Sequence, residues 1–256
     1  MENKAYRDVI RSSAAPYENA LAQRCGLATR YRAVTHPSLP NYIAATSGGT
    51  HGIADDADPS AHRLRARSLF EQVQRRGRRW RSYQESAPHR CTLVPSYPYA
   101  VKHDPAAYYT RIRSTCRIWD VPLGKPSAGR LRRALANDRL PAFAFVTPNL
   151  CHDTHDCSVR TGDDWLKAWV PKIVGSPAYQ AQEVALFITW DENDGSSGNR
   201  VPMLVVSPWT ARGTRSSTRF THYSLLKTTE QLLGIGTLLR HAGDADTRSM
   251  RAAFGL

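Results

Sequence analysis

No stretch of this sequence approaches the roughly 18 consecutive apolar residues that a bilayer-spanning helix requires, and residues 1–10 contain no apolar core of a secretory leader. As written, nothing in it directs export. There is no C-x-x-C spacing, and no second thiol pair of the kind a structural zinc site needs. Zinc-finger, RNP-like and helix-turn-helix patterns are absent, as are internal repeats. Acidic residues are scarce, with 22 Asp and Glu against 35 Lys and Arg, for a formal charge of +13 and a pI near 9.9. That field attracts phosphates, nucleic acid or anionic lipid. Arginine supplies most of it, at 63–81 and 130–133, where the residues also suit solvated helix faces.

The 256 residues, 41% of them hydrophobic, are enough to bury a core in one domain, read as 1–256 with 84–126 as an irregular inserted lobe rich in Pro and Tyr. Five cysteines leave at least one unpaired. The preferred pairing is Cys151 with Cys157 and Cys91 with Cys116, leaving Cys25 over. It implies an oxidising compartment, in tension with the missing leader.

Helical spacing is expected at 17–25, 41–47, 63–76, 131–136, 163–174 and 223–233, and strands at 28–34, 80–83, 142–147, 185–188 and 201–206. The runs at 142–147 and 185–188 read as buried. This alternation favours a largely parallel α/β sheet with helices on both faces.

Three constellations carry chemistry, and a fourth, Met1-Glu2-Asn3-Lys4 at the extreme terminus, reads from composition as a frayed end. The run 185–188 leads into Thr189-Trp190-Asp191-Glu192-Asn193-Asp194-Gly195, which delivers carboxylates to the rim of a sheet, where open α/β folds bind ligands. Such oxygens suit hard divalent cations; Asp191 and Glu192 are assigned to the site and Asp194 to a turn. His36-Pro37-Ser38-Leu39-Pro40-Asn41-Tyr42 holds a serine between prolines at the head of a helix. It is either a restrained nucleophile or only a helix cap. Residues 148–157 set His152, Asp153, His155 and Asp156 on the loop after a strand, as metal or phosphate ligands or as turn caps and exposed histidines.

Taken together, M-E-N-K-x-Y at 1–6, H-P-S-L-P-N-Y at 36–42, H-D-P at 103–105, T-P-N-L-C-H-D-T-H-D at 147–156, G-D-D-W-L at 162–166, W-D-E at 190–192 and H-Y-S-L-L-K-T-T-E at 222–230 resemble the phosphoesterase family of bacterial acid phosphatases and phosphatidylcholine-type phospholipases C. The resemblance covers essentially the whole chain. It implies an alkaline-phosphatase-like α/β fold and hydrolysis through a phosphoserine. By matching position, Ser38 is the nucleophile. Glu2, Asn3, Asp191 and Glu192, with the Ser38 oxygen, hold one divalent metal ion of unspecified identity. His103 and His155 bind phosphate or transfer protons, His152 and Asp156 are less firmly placed, and His222 is read as a cap of the closing helix.

The resemblance also implies a secreted protein. In the family the Glu-Asn pair ends a first central strand behind a signal peptide, so this chain is expected to lack that strand and to be unstable or weakly active without upstream residues. The segment after Glu192 is short where relatives carry a cysteine-containing loop, which leaves Cys25 without a partner. The expected substrate is a small phosphate monoester; the alternatives are a phospholipase C diesterase docking on an anionic membrane, and a non-catalytic basic nucleic-acid module. No specific nucleic acid and no protein partner are expected.

Overall fold

The apolar runs at 142–147 and 185–188 do form strands, but neither is as buried as its composition predicts. In the computed structural model, which describes residues 1–256 apart from the side chain of Ser197, the strands in chain order are β1 (Gly26–Ala28), β2 (Tyr31–Arg32), β3 (Trp80–Gln84), β4 (Asp120–Pro122), β5 (Phe143–Thr147), β6 (Leu186–Thr189), β7 (Met203–Val206), β8 (Arg215–Ser216) and β9 (Phe220–Thr221). They make a parallel three-stranded sheet in the order β4-β3-β5 and a four-stranded sheet in the order β6-β7-β1-β8. In the latter only β1 and β8 run parallel, while β7 is antiparallel to both its neighbours. A parallel pair, β2 with β9, stands apart.

No ladder joins β5 to β6 among the described residues. Between them lies a cleft of about 420 Å³ lined by Phe145, Val146, Leu186, Phe187, Trp169 and Leu225 among others. That cleft is why Phe143, Phe145, Val146, Leu186 and Phe187 remain only half-buried. Met1 sits at its polar end: its ammonium donates to Thr189 O at 3.3 Å, and its carbonyl accepts from Asp191 N–H at 3.0 Å. This is the hydrogen-bond pattern of a residue running parallel to β6.

Helices cover both faces, as the alternation along the strands requires. Trp80 of β3 packs into one core with Leu39, Ile43, Phe70 and Leu226. Tyr83 of the same strand packs into the other with Leu21, Leu131, Trp169 and Val205. The helices Pro16–Arg24, Ser38–Ser47, Arg130–Ala136, Val159–Val174 and His222–Leu232 fall close to their expected places. The stretch 28–34 divides instead: β1 pairs with β7 and β8, and β2 with β9, so no single strand forms. The helix expected over 63–76 is confined to Leu69–Arg75, because Ser68 caps it by accepting from Glu71 N–H and Leu64 bonds Tyr108 and Thr110. Residues 85–119 are mostly turns and short 3₁₀ segments, ending in a short helix, Arg113–Trp119, before the chain rejoins the sheet at β4.

Both expected disulfides, Cys91–Cys116 and Cys151–Cys157, are formed, and Cys25 is free. Among the described residues no helix is long and apolar enough to cross a membrane.

Candidate active site

The turn before the Ser38–Ser47 helix is locked by Asn41. Its Oδ1 accepts from the N–H groups of Val34 and Thr35 at 2.9 and 3.1 Å, and its amide donates to the carbonyls of Thr35 and Pro37 at 2.8 and 3.0 Å. Pro37 occupies the cap position, so Ser38 is the first helical residue and not the cap. Its hydroxyl is thereby left for other partners. Ser38 Oγ lies 2.7 Å from Glu2 Oε1 and 3.1 Å from Glu192 Oε1; its one proton serves either acceptor in turn.

Glu2 is held through its backbone. Its N–H donates to Asp153 O at 2.8 Å, and its carbonyl accepts from Thr154 Oγ1 at 2.9 Å, which itself accepts from Trp190 Nε1 at 3.1 Å. The helix Val159–Val174 passes so close that a Cβ on Gly162 would lie 2.4 Å from Thr154 Cγ2 and 2.8 Å from Met1 Cε. This explains the glycine of the G-D-D-W-L motif. The next residue, Asp163, accepts from the N–H groups of Tyr17 and Glu18 at the head of the Pro16–Arg24 helix, at 3.1 and 2.8 Å.

Asp191 leaves β6 with its Oδ1 accepting from Glu192 N–H at 2.7 Å, while its carbonyl lies 2.6 Å from His222 Nε2. His222 must donate there, so its Nδ1 accepts from the Tyr31 hydroxyl at 2.9 Å. Burial pushes His222 down to about 4, which keeps the ring neutral. The cap position belongs to Thr221. His222 is therefore not a cap but a brace behind Asp191.

Glu2, Asp191, Glu192, Asp153 and Ser38 are all buried. Burial and the Glu2 charge push Asp191 well above the ordinary carboxylate range. Burial also raises Glu192, against His36, whose Nδ1 lies 2.5 Å from Glu192 Oε2. Burial would raise Glu2 too, but His103 and Lys102 override it and hold Glu2 far below its usual value. His103 Nε2 is 2.6 Å from Glu2 Oε2, and its Nδ1 is 3.4 Å from Asp153 Oδ2. Despite burial those carboxylates lift His103 to about 9. The Tyr42 ring stacks on the imidazole at 5.0 Å. Lys102 Nζ spans Glu2 Oε1 and Asp56 Oδ2, 3.0 Å from each, and Asp56 accepts from Leu39 N–H at 2.9 Å.

The expected residues thus separate into two groups. Glu2, Ser38, Asp191, Glu192 and His103 come together. His155 stands at the rim, its Nε2 3.9 Å from Glu2 Oε1 and its Nδ1 2.6 Å from Asp156. Asn3 lies next to Glu2 in a left-handed conformation, φ 55°, with a buried and unpartnered Oδ1. His152 turns away to Glu85, 2.9 Å from its carboxylate. Asp194 is exposed in its turn, bonded to Ser196. His103, expected to face phosphate, is fully buried among carboxylates. Lys102, Asp56 and His36 escaped the sequence reading. The only signal for them was adjacency: Lys102 precedes H-D-P, and His36 opens H-P-S.

The donor set fits a hard divalent cation. Glu2, His103 and Asp191 offer atoms that all lie within 4.8 Å of one another, and Asp191 Oδ2 and Asn3 Oδ1 are buried without hydrogen-bond partners.

The fold is similar to that of a solved protein from Vibrio parahaemolyticus in the alkaline phosphatase superfamily, which matches with a TM-score of 0.60 at 13% identity, over 95% of this chain and 68% of that one. The model of the phosphoesterase family matches residues 8–236, and the chain belongs to that family. A phosphatidylinositol-3-phosphatase from Mycobacterium tuberculosis is 29% identical over 91% of this chain and 75% of its own. An acid phosphatase from Aspergillus fumigatus is 29% identical over 94% of this chain and 55% of its own. The chain spans little more than half the length of that fungal relative. Family and relatives define a hydrolase of the phosphoric ester class.

Proposed function

We propose that the chain hydrolyses small phosphate monoesters, with Ser38 as nucleophile. The observation that carries this reading is the position of Ser38 Oγ, at the head of a helix and within bonding distance of both Glu2 and Glu192. Glu2, Asn3, Asp191 and Glu192, with the Ser38 oxygen, would hold one divalent cation. When bound, the cation lowers the pKa of the serine hydroxyl and neutralises charge on the phosphate.

Ser38 Oγ attacks phosphorus in line as its proton passes to a neighbouring carboxylate, and the bond to the leaving oxygen breaks. His155, at the open rim, donates the proton that oxygen needs; Lys102 offers a positive charge to the phosphoryl oxygens. Water then attacks phosphorus, the Ser38 ester breaks, and inorganic phosphate leaves. His103 acts as a positioning residue for Glu2 from within the protein. The two disulfides support an extracytoplasmic setting.

The test is hydrolysis of an aryl phosphate monoester and its diester analogue, with and without chelator, by the natural chain and by Ser38→Ala. Chelator-sensitive monoester turnover, lost in Ser38→Ala by about a thousandfold or more, is expected. Diester preference would transfer the reading to a phospholipase C type of enzyme. Full activity in Ser38→Ala would remove the serine from its role.

A further inference from the structure

Residues 93–97, Leu-Val-Pro-Ser-Tyr, form an apolar tip facing solvent: Val94 is 57% and Tyr97 75% exposed, with Leu93 also open. From 91 to 101 the chain carries no Lys, Arg, Asp or Glu. The base of the tip is tied down. Cys91 is bonded to Cys116 and donates its N–H to Asp120 O, Ser96 and Tyr99 exchange backbone hydrogen bonds of 2.9 and 3.1 Å, and the buried Tyr99 hydroxyl reaches Thr92 O at 2.9 Å. The apolar side chains are therefore held outward and do not fold back onto the core.

Cations surround this base. Arg90 is exposed, Arg113 lies 3.6 Å from Cys91 Sγ, and Arg117 is exposed on the helix that Cys116 staples, beside Ile118 at 51% exposure. Arg79, Arg90 and Arg130 each lie near enough to Arg81 to repel its charge. The acids of the same region turn inward: Asp104 and Asp120 are buried, and Glu85 bonds His152, Asn149 and Trp165.

The tip also stands beside the mouth of the site. Strands β3 and β5 are parallel, so residues 85–99 and 148–157 leave the same edge of the sheet. They are joined where Leu150 N–H donates to Pro98 O at 3.0 Å and Asn149 Nδ2 donates to Ser86 Oγ at 3.1 Å. Leu150 opens the loop that carries Asp153 and His155.

We propose that the 93–97 tip and its arginine collar dock the protein on an anionic lipid bilayer, presenting the active-site rim to phosphorylated headgroups. An apolar tip enters the headgroup layer while arginines meet anionic lipid, and a tyrosine suits that boundary. The catalytic consequence rests on the phosphatase reading; the docking does not.

The test is co-sedimentation with phosphatidylcholine vesicles, with and without phosphatidylserine, beside turnover of a soluble aryl phosphate. The natural chain is expected to partition onto the anionic vesicles only. Leu93→Ser with Tyr97→Ser should lower that partition about tenfold while soluble turnover holds, and Arg90→Glu with Arg117→Glu should lower it as well. Equal partition of the natural chain and the serine variant overturns the proposal. So does binding that follows the arginines alone, the behaviour of a nucleic-acid or other polyanion site. Vesicle binding as expected with no aryl phosphate turnover would uphold the docking and sink the phosphatase reading.

Discussion

Strands β5 and β6 frame two unlike spaces. At their C-terminal ends, Glu2, Asp191, Glu192 and Asp153 converge with Ser38, His103 and Lys102, and nearly every backbone group near them has a partner. Along their length lies a cleft lined by Phe145, Val146, Leu186, Phe187 and Trp169, where the two strand edges face each other unjoined. The rim is organised by charge, and the cleft is lined by apolar side chains. The loops leaving the sheet are cross-braced at the rim, where Thr154, Trp190 and His222 brace Glu2 and Asp191, and no ladder of such bonds crosses the cleft among the described residues.

The sharpest way to break that contrast is Glu2→Gln. It removes the anion that His103 and Lys102 face, so it is expected to abolish turnover. It also takes one of two carboxylate partners from each of His103 and Lys102, which keep Asp153 and Asp56, a loss of about 1–3 kcal/mol. Urea unfolding of the variant reads this, and an unchanged midpoint would mean that the rim is not held by its charges.

The cleft is tested by addition. Joining an apolar, β-forming segment of a few residues ahead of Met1 lets it run parallel to β6 and pair with both edges. Burying several large side chains outweighs the ordering cost by a few kcal/mol. The melting temperature is then expected to rise on the order of 10 °C. No rise, or an equal rise with a polar segment of the same length, would show that the edges do not accept a strand.

Tyr31→Phe separates bracing from chemistry. It takes away the hydroxyl that bonds His222 Nδ1, at a cost of about 1 kcal/mol. Turnover should fall while the sensitivity to chelator rises, because Asp191 is held less firmly. A stability loss with no change in chelator sensitivity would reduce His222 to a packing residue.

A further effect lies away from both spaces. Burial pushes Glu230 up to about 7 from an ordinary 4.5, with its carboxylate accepting from Leu239 N–H at 3.0 Å. Between these two values the unfolded chain has released a proton that the folded chain keeps. Stability therefore falls as pH rises through that window and levels off above it. Glu230→Gln should flatten this part of the melting profile; parallel profiles would exclude Glu230 as its source.

Much of this was legible in the chain. Apolar periodicity located the helices Pro16–Arg24, Val159–Val174 and His222–Leu232, because each presents one stripe to a core. Ser38, Asp191 and Glu192 were legible because each stands where a strand or loop ends beside charged or turn-forming neighbours, while Glu2 was reached through the motif resemblance and not through local pattern. Apolar content, however, reports what a strand needs to bury and not what covers it, and so overstated the burial of β5 and β6. The stretch 28–34 gave no sign that its two halves pair with different strands. Pairing partners are chosen in space, well over a hundred residues away in the case of β9.

By itself, then, the sequence carried the cysteine pairs and the α/β alternation, and its motifs, by resemblance, the candidate residues of the site. Only the tertiary structure decided that His103 is buried behind Glu2 while His155 stays at the rim, and that Lys102 bridges Glu2 to Asp56. It alone made His222 a brace and left β5 and β6 apart. Those outcomes turn on which side chains share a desolvated volume, and that is fixed by how the loops cross at the sheet edge, not by any local pattern along the chain.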